Sequence, residues 1–396
     1  MLSRPDEGSA TWRITSKDMI DAAGLFPRSR GTYLLNHSVG VPPLSVRERV
    51  ADVLLPDWFA TPHEAWSRWM AEVEGFHAEL GRLLNHDPEW FCHQTNVSSG
   101  LTKVIQALPF ESSRPVILLS EQSFPTLGYV AQAAQRLGYR TRMLPDGADG
   151  SNPDHWSAAL ANDVGIALVT HAESNAGIQL PVESIVAAVH AAGAVAVVDV
   201  AQSAGVLPID LRAWRADVVV GTSVKWVCGG PGAGFLWVDP AIIDRCSPID
   251  VGWFSHADPF EFDIHDFRFA PDARRFLGGT PSPIPTAVAR ESLVVLNNIG
   301  VAAIREHNLA LTERLIDGLD EPMLVSPRER HLRSGTVVID PGPEERAALL
   351  AAFSASEIHV DERADGIRIS PHLVNSVDDI DAVLEVVHGV RKGVSQ

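Results

Sequence analysis

Short apolar runs alternate with amphipathic stretches through the middle of the chain. Between residues 92 and 238, runs rich in Val, Ile, Leu and Ala predict strands at 115–119, 140–144, 165–170, 194–200, 217–221 and 234–238. Helical periodicity appears between several of them, at 127–137 and 182–192. Strands that are apolar on both faces and separated by helices are typical of a mostly parallel sheet with helices on both faces. The pattern therefore predicts an α/β fold.

The two ends of the chain have different patterns. A short helix is predicted around 17–23, and residues 42–84 are helical with interruptions at Pro56 and Pro62. After residue 285 the pattern predicts a long helix to about 319, strands at 336–339 and 366–369, and a last helix at 377–390. We therefore predict an N-terminal arm and small-domain segment (1–50), a large domain (51–285) and a smaller C-terminal α+β domain (286–396).

Composition narrows the classes of partner. The 396 residues are 45% hydrophobic and 21% charged, which is enough apolar material for a full-sized core. The formal charge of −18 argues against nucleic acid as a partner. We expect no membrane span, because no apolar run approaches 18 residues. We expect the protein in the cytoplasm, because no apolar leader is apparent. Three cysteines without a CxxC pair, and histidines without metal-ligand spacing, predict no metal site.

Two charged residues stand where a buried sheet edge is predicted. Asp199 ends one apolar run, and Lys225 follows the next one, just before the turn Gly229-Gly230-Pro231-Gly232. Ligands of parallel sheets bind at the carboxyl ends of the strands. Pyridoxal phosphate needs a lysine for a Schiff base and a carboxylate for its pyridine nitrogen, which this pair would supply. The alternative is structural: Asp199 caps a helix and Lys225 forms a salt bridge.

Ordered sequence blocks carry a family resemblance. DVAQSAG (199–205), TSVKW (222–226) and GGPGAGFLWV (229–238) resemble kynureninases, in the class V branch of the fold-type I, aspartate-aminotransferase superfamily. Further blocks fall in the same order: NHSVG (36–40), SFPT (123–126), GWFSH (252–256) and GIRISPH (366–372). Isopenicillin N epimerases, cysteine desulfurases and C–S lyases share a weaker outline. The resemblance spans about residues 33–390 and implies a pyridoxal 5′-phosphate enzyme acting on a small-molecule amino acid.

The resemblance also implies roles for individual residues. Lys225 would form the Schiff base and move protons, and Asp199 would pair with the pyridine nitrogen. Phe124 would stack on the coenzyme ring, and Gln202 would bond its phenolic oxygen. The remaining cofactor contacts within the chain would be Val97, Ser98 and Thr222. Trp253 and Thr280 would reach the phosphate across a dimer interface. Substrate contacts would come from Arg368, which would clamp the α-carboxylate, and from Asn36 and His256. A homodimer with sites at its interface is therefore expected.

Several positions depart from kynureninases, and most of them cluster around the expected cofactor. Val224 precedes the lysine where kynureninases have a tyrosine, and Trp226 follows it where they also have Tyr. Gln202 replaces a histidine, which is the form typical of cysteine desulfurases and some C–S lyases. Leu127 replaces an acidic residue of kynureninases, and Cys228 stands where they often have Asn. For Cys228, packing in the tight turn is a simpler role than catalysis. These changes leave cofactor binding intact but place the kynureninase reaction in question.

Four hypotheses follow. The first is β-elimination, C–S cleavage or related decarboxylation or deamination chemistry on an S-substituted cysteine, in specialised metabolism. The second is kynureninase-type hydrolysis with a rewired site. The third is an aminotransferase or epimerase of the same branch. The fourth, from another class, is a nucleotide-binding or regulatory α/β protein that uses the glycine-rich turn.

Overall fold

The computed structural model describes residues 13–14, 19–22 and 24–394. Its helices are α1 (Ser45–Glu48), α2 (Leu55–Ala60), α3 (Ala65–Leu84), α4 (Val97–Ala107), α5 (Pro125–Ala133), α6 (Pro153–Ala159), α7 (Val182–Ala191), α8 (Leu211–Trp214), α9 (Pro283–Ile299), α10 (Val301–Asp317), α11 (Pro343–Ala355) and α12 (Val377–Val394). Its strands are β1 (Arg13–Ile14), β2 (Ile20–Asp21), β3 (Thr32–Tyr33), β4 (Phe91–Gln94), β5 (Val116–Leu119), β6 (Arg140–Met143), β7 (Val164–Thr170), β8 (Val195–Asp199), β9 (Val218–Thr222), β10 (Gly234–Val238), β11 (Val337–Ile339), β12 (Ile358–His359), β13 (Asp361–Arg363) and β14 (Gly366–Ile369).

The centre of the fold is a mixed sheet in the order β4-β10-β9-β8-β7-β5-β6. The five strands β9, β8, β7, β5 and β6 run parallel, whereas β10 pairs antiparallel with both β9 and β4. The predicted α/β class with a mostly parallel sheet is therefore confirmed. The parallel strands end at one edge, which is where side chains after β7, β8 and β9 meet.

Both faces of this sheet are buried. In β5, Val116 and Leu118 belong to one apolar cluster, and Ile117 and Leu119 belong to a second cluster on the opposite face. All four side chains are fully buried. Since burying one such side chain contributes about 1.5–3 kcal/mol, double-sided burial explains why these strands read as continuous apolar runs.

A second apolar core lies in the C-terminal part of the chain. The sheet β11-β14-β13 is antiparallel, and its buried residues pack with α10, α11 and α12. Leu34, beside β3, joins this core, and β3 pairs in parallel with β12. The first residues described therefore extend the C-terminal part, although the proposed boundaries at residues 50 and 285 remain a prediction.

Two sequence-based expectations were wrong, and one strand of the central sheet was missed. The short helix around 17–23 is absent from the described residues of that stretch: Ile20–Asp21 form a strand paired with Arg13–Ile14, while residues 17, 18 and 23 lie outside the described ranges. The long helix after 285 is two helices, because Gly300 has a φ of 90° that a helix cannot continue through. Strand β4 was missed, since its four residues include a histidine and a glutamine.

Among the described residues, no single helix combines the length and apolar character that a membrane span needs, and the only helix pair that does so jointly, α9 with α10, is bent by 80°. Helix α9 packs along α3, with the Asn297 amide donating to the backbone of Glu79.

Candidate active site

The predicted acid and base lie at neighbouring strand ends. Asp199 is the last residue of β8, and Lys225 follows β9, the strand that pairs with β8 in parallel. The Asp199 carboxylate is buried and accepts a hydrogen bond of 2.8 Å from the backbone N–H of Ala201. Burial raises the pKa of Asp199, although that hydrogen bond and the positive Lys225 oppose the change.

The lysine is held in a desolvated position. Burial lowers the pKa of Lys225, and the positive charge of Arg368 lowers it further, whereas Asp199 raises it. A lowered pKa favours the neutral amine, which is the nucleophilic form. The Lys225 Nζ lies 5.1 Å from the centroid of the Phe124 ring. Phe124 precedes α5, with Pro125 as the first residue of that helix, so the ring is placed by the start of the helix.

A loop from the N-terminal part of the chain packs against the lysine turn. The Gly40 N–H donates to the Val224 carbonyl at 2.8 Å. A Cβ at Gly40 would lie 2.0 Å from the Lys225 carbonyl oxygen, so only glycine permits this approach. The NHSVG block therefore helps to define the backbone on which the lysine is carried.

The start of α4 forms the end of the site that suits an anion. Asn96 caps this helix, its side chain accepting the Ser99 N–H at 2.9 Å. The backbone N–H groups of Val97 and Ser98 are among those that a helix start leaves without helical partners. Together with the Thr222 hydroxyl, they offer donors to a phosphate.

These groups surround one cavity of about 170 Å³. Its lining contains seven of the predicted site residues: Val97, Ser98, Phe124, Asp199, Gln202, Thr222 and Lys225. It also contains residues that sequence reasoning did not select: Asn96, Thr126, Thr170, Ala172, Ser174 and Ala201. Thr170 ends β7, pairs with Asp199 in register, and has a buried hydroxyl with no hydrogen-bond partner. The sequence did contain a signal for Thr170, because this polar residue ends the apolar strand predicted at 165–170.

Arg368 approaches this cavity from the C-terminal sheet. Its Nη1 donates to the carbonyl oxygen of Ser174, a lining residue, at 3.2 Å. Its Nε donates to Asp361 at 2.8 Å, and its Nη2 contacts the second oxygen of the same carboxylate. Asp361 lies directly opposite Arg368 in the β13–β14 pair. Sequence reasoning missed Asp361, because β13 has a polar sequence without apolar alternation.

The Asn36 segment connects to the same ion pair. The Nε2 of His37 lies 2.9 Å from Asp361, and its Nδ1 lies 2.7 Å from the Ser370 hydroxyl. Burial lowers the pKa of His37, which favours the neutral imidazole, and the hydrogen bond to Asp361 opposes this change. Asn36 donates to the Ser370 carbonyl at 2.9 Å. Asn36 thus supports the Arg368 strand and does not line the cavity.

Trp253, His256 and Thr280 are elsewhere in this chain. None of the three lines the Lys225 cavity. Trp253 and His256 line a separate cavity of about 170 Å³, and the ring nitrogens of His256 lie 2.7 and 2.9 Å from the Asp258 and Asp266 carbonyl oxygens. Thr280 is exposed. The assigned roles of all three remain predictions, and those of Trp253 and Thr280 require a second chain.

The residues around the cavity fit pyridoxal phosphate. The cavity combines a desolvated lysine, a buried carboxylate at the next strand end, an aromatic ring near the lysine and a helix start for the phosphate. The unpaired Thr170 hydroxyl is a further group that a ligand would satisfy.

Comparison with known proteins decides the family. The family model described as Aminotransferase class-V matches residues 60–383. The chain belongs to this family. It is 34% identical over 301 residues to a kynureninase of Deinococcus radiodurans, covering 74% of this chain and 71% of that protein. A kynureninase of Pseudomonas fluorescens is 29% identical over 346 residues, covering 82% and 80%.

Solved structures agree in fold. The cystine C–S lyase C-DES superposes with a TM-score of 0.82 at 22% identity, covering 91% of this chain and 97% of that one. A cysteine desulfurase from Thermococcus onnurineus NA1 gives a TM-score of 0.80 at 20% identity, covering 92% and 95%. The class V family member described here is thus a pyridoxal 5′-phosphate-dependent enzyme of fold type I, and the kynureninase-like resemblance is confirmed.

Proposed function

We propose that this class V enzyme is a lyase that eliminates a β-substituent, above all a thiolate, from an S-substituted cysteine. The observation that carries the proposal is the small set of proton-transfer groups around the cavity. Among its lining residues, only Asp199 and Lys225 have acidic or basic side chains. Asp199 is assigned to the coenzyme ring, which leaves Lys225 as the one group to accept the α-proton.

This set suits a good leaving group. A thiol has a pKa of about 8.5, so a thiolate departs from carbon without needing a separate acid to protonate it. The elimination removes the α-proton and the thiolate. Hydrolysis of the remaining unsaturated amino acid gives pyruvate and ammonium. One base at the α-carbon is sufficient for these steps.

The side chains around the cavity then have complementary tasks. Bound pyridoxal phosphate supplies an electron sink for the α-carbon. Val97, Ser98 and Thr222 bind its phosphate, and Asp199 keeps a proton at its ring nitrogen. Arg368 binds the substrate carboxylate and fixes the orientation of the α-carbon. Lys225 accepts the α-proton at Nζ.

Transfer of sulfur to the protein is disfavoured by the cysteines. Cys92, Cys228 and Cys246 all lie in the described part of the chain, and all are buried. Burial raises the pKa of the Cys92 and Cys228 thiols to about 12 and that of Cys246 to about 11. A buried, protonated thiol is a poor sulfur acceptor. We therefore favour release of the sulfur product over the persulfide chemistry that cysteine desulfurases perform on a loop cysteine.

Kynureninase-type hydrolysis is the second candidate, and the 34% identical relative favours it. That reaction hydrates a γ-carbonyl and is expected to use the tyrosine that precedes the lysine in kynureninases. Val224 occupies this position. The cavity lining contains none of the three tyrosines of the chain. This absence of a phenolic acid is the reason for placing elimination first.

We also propose a homodimer. The segment after Trp253 exposes large apolar side chains, with Phe262 74% and Ile264 91% exposed. A second copy of the chain would cover them and bring Trp253 and Thr280 toward the neighbouring phosphate.

Product analysis of the coenzyme-loaded protein tests the proposal. The purified enzyme is incubated separately with S-alkyl cysteines, cystine and kynurenine, and pyruvate, thiol and anthranilate are measured. We expect pyruvate and thiol in a one-to-one ratio from an S-substituted cysteine. Anthranilate from kynurenine, with no pyruvate from any cysteine derivative, would establish the second candidate. Amino transfer to an added keto acid, or loss of optical activity without cleavage, would indicate an aminotransferase or an epimerase.

A further inference from the structure

Two departures from the kynureninase pattern form one hydrogen-bonded unit. The Nε1–H of Trp226 donates to Oε1 of Gln202 at 3.1 Å. The Nε2 of Gln202 donates to the His37 carbonyl oxygen at 3.2 Å. Gln202 lines the Lys225 cavity, whereas Trp226 lies outside its lining. The two substitutions that the sequence shows separately are therefore in contact in the fold.

The chemistry of the partners settles which way the amide points. An indole N–H only donates, and a backbone carbonyl only accepts. The Gln202 oxygen must therefore face Trp226, and the amide nitrogen must face His37. After these two bonds, one N–H of the Gln202 amide is left to donate to a ligand, whereas the amide oxygen already accepts from Trp226.

The indole is itself tightly held. Trp226 is 1% exposed. A Cβ on Gly335 would lie 2.9 Å from the Trp226 ring, so the glycine leaves room for the indole and nothing larger. On another side the His372 ring packs edge-on at 5.5 Å, and its Nε2 lies 2.9 Å from the Trp226 carbonyl oxygen. Packing of this kind prevents the indole from leaving Gln202.

We propose that Trp226 is the positioning residue that presents Gln202 to the cavity only as a hydrogen-bond donor. The ligand atom it meets is an oxygen that carries negative charge, and the phenolic oxygen of the coenzyme has that chemistry. Without the indole, only the bond to the His37 carbonyl opposes rotation of the amide toward the orientation in which its oxygen faces this atom. The pairing explains why the histidine and the tyrosine of the kynureninase blocks are both replaced here.

The pH dependence of the coenzyme spectrum tests this assignment without measuring turnover. A donor to the phenolic oxygen stabilises its anionic form, so losing the donor raises the apparent pKa of the Lys225-bound coenzyme. We expect Gln202→Ala to raise it by about one pH unit. Trp226→Phe is expected to raise it by a smaller amount, because the bond to the His37 carbonyl remains. The double variant is expected to shift no more than Gln202→Ala alone, because Trp226 acts through Gln202. The titratable and charged groups around the lysine and the Gln202–Trp226 pair are the same in all variants: Asp199, Lys225, Arg368, His37, Asp361 and His372.

Controls separate positioning from general packing. Trp237 in β10 is another fully buried tryptophan, and its indole N–H has no hydrogen-bond partner. Trp237→Phe is therefore expected to leave the titration unchanged. If Trp226→Phe fails to fold, Trp226→Leu also removes the donor while keeping an apolar side chain, and it is expected to give the same shift. A normal titration in the folded Trp226 variant, or no shift in Gln202→Ala, would overturn the proposal. Absence of any coenzyme band in the wild-type protein would instead contradict cofactor binding itself.

Discussion

The Lys225 cavity and the Trp253 segment differ in how much of a binding site one chain provides. The cavity is enclosed by residues from α4, α5 and the ends of β7, β8 and β9, and its acid and lysine are buried. Around Trp253, aromatic rings pack on each other, with Trp66 at 5.4 Å and Phe262 at 6.0 Å, yet much of this surface stays exposed. The sheet edge positions the first group within one chain. The Trp253 segment has no such framework, and the phosphate contacts proposed for it depend on the proposed dimer.

The largest expected effect comes from Lys225→Ala. Removing the only base assigned to the α-carbon should lower turnover by at least about 10³-fold. Borohydride reduction followed by peptide mapping should label the peptide that contains residue 225 in the wild type and not in the variant. Lys103→Arg is a suitable control, since Lys103 is a partly buried lysine that donates to the Phe276 carbonyl and does not line the cavity. Labelling of any other lysine in the wild type would contradict the assignment.

Asp199→Asn tests the second component of the cavity. The neutral side chain cannot hold charge against a protonated ring nitrogen, so we expect turnover to fall about 10²-fold with the coenzyme still bound. Asp217→Asn is the matched control: Asp217 also accepts a backbone N–H, that of Ala196 at 2.7 Å, but does not line the cavity. Equal losses in both variants would mean that Asp199 has only a structural role.

Asp361→Asn tests the contact between the cavity and the C-terminal sheet. Asp361 orients the guanidinium of Arg368 through both carboxylate oxygens, so its loss should raise KM about tenfold and change kcat by less than about twofold. Steady-state kinetics over a range of substrate concentrations measures both values. A lower KM would show the opposite relation, with Asp361 competing with the substrate for Arg368.

The matched control for this pair lies in the same part of the chain. Asp340→Asn removes a carboxylate that binds Arg346 in a similar way, with Nε 3.1 Å and Nη2 2.7 Å from one oxygen. This pair is remote from the lining residues, so KM should stay unchanged. A tenfold change in both variants would indicate general destabilisation of the C-terminal sheet.

The smallest effect is expected from Thr280, which lies outside the Lys225 cavity. Thr280→Val should weaken coenzyme affinity about threefold to tenfold if the hydroxyl bonds a phosphate in the second chain. Affinity is measured by fluorescence titration, and assembly is measured by sedimentation. In the wild type, dilution below the dimer dissociation range should reproduce the loss, and Thr280→Val should then have no further effect. A monomer with full coenzyme affinity would remove the reason for a shared site.

Much of the central sheet follows from local sequence. The predicted strands at 234–238 and 366–369 coincide with β10 and β14, because continuous apolar runs and their bounding turns are short-range signals. The strand ends carrying Asp199 and Lys225 were predicted for the same reason. Helix ends were less accurate: the stretch predicted at 127–137 is α5 followed by a 3₁₀ turn at Ala134–Leu137.

The sequence by itself determined six of the seven strands of the central sheet, the lysine and carboxylate at its edge, and the family resemblance, because these depend on apolar periodicity and on ordered motifs along the chain. Only the tertiary structure shows that Asp361 accepts a hydrogen bond from Arg368 and that Trp226 donates one to Gln202. It also shows that Trp253 and Thr280 do not line the cavity. Hydrogen bonds between residues that are distant in sequence, or on strands without an apolar pattern, depend on the packing of whole elements. That packing leaves no local signal at the residues it brings together.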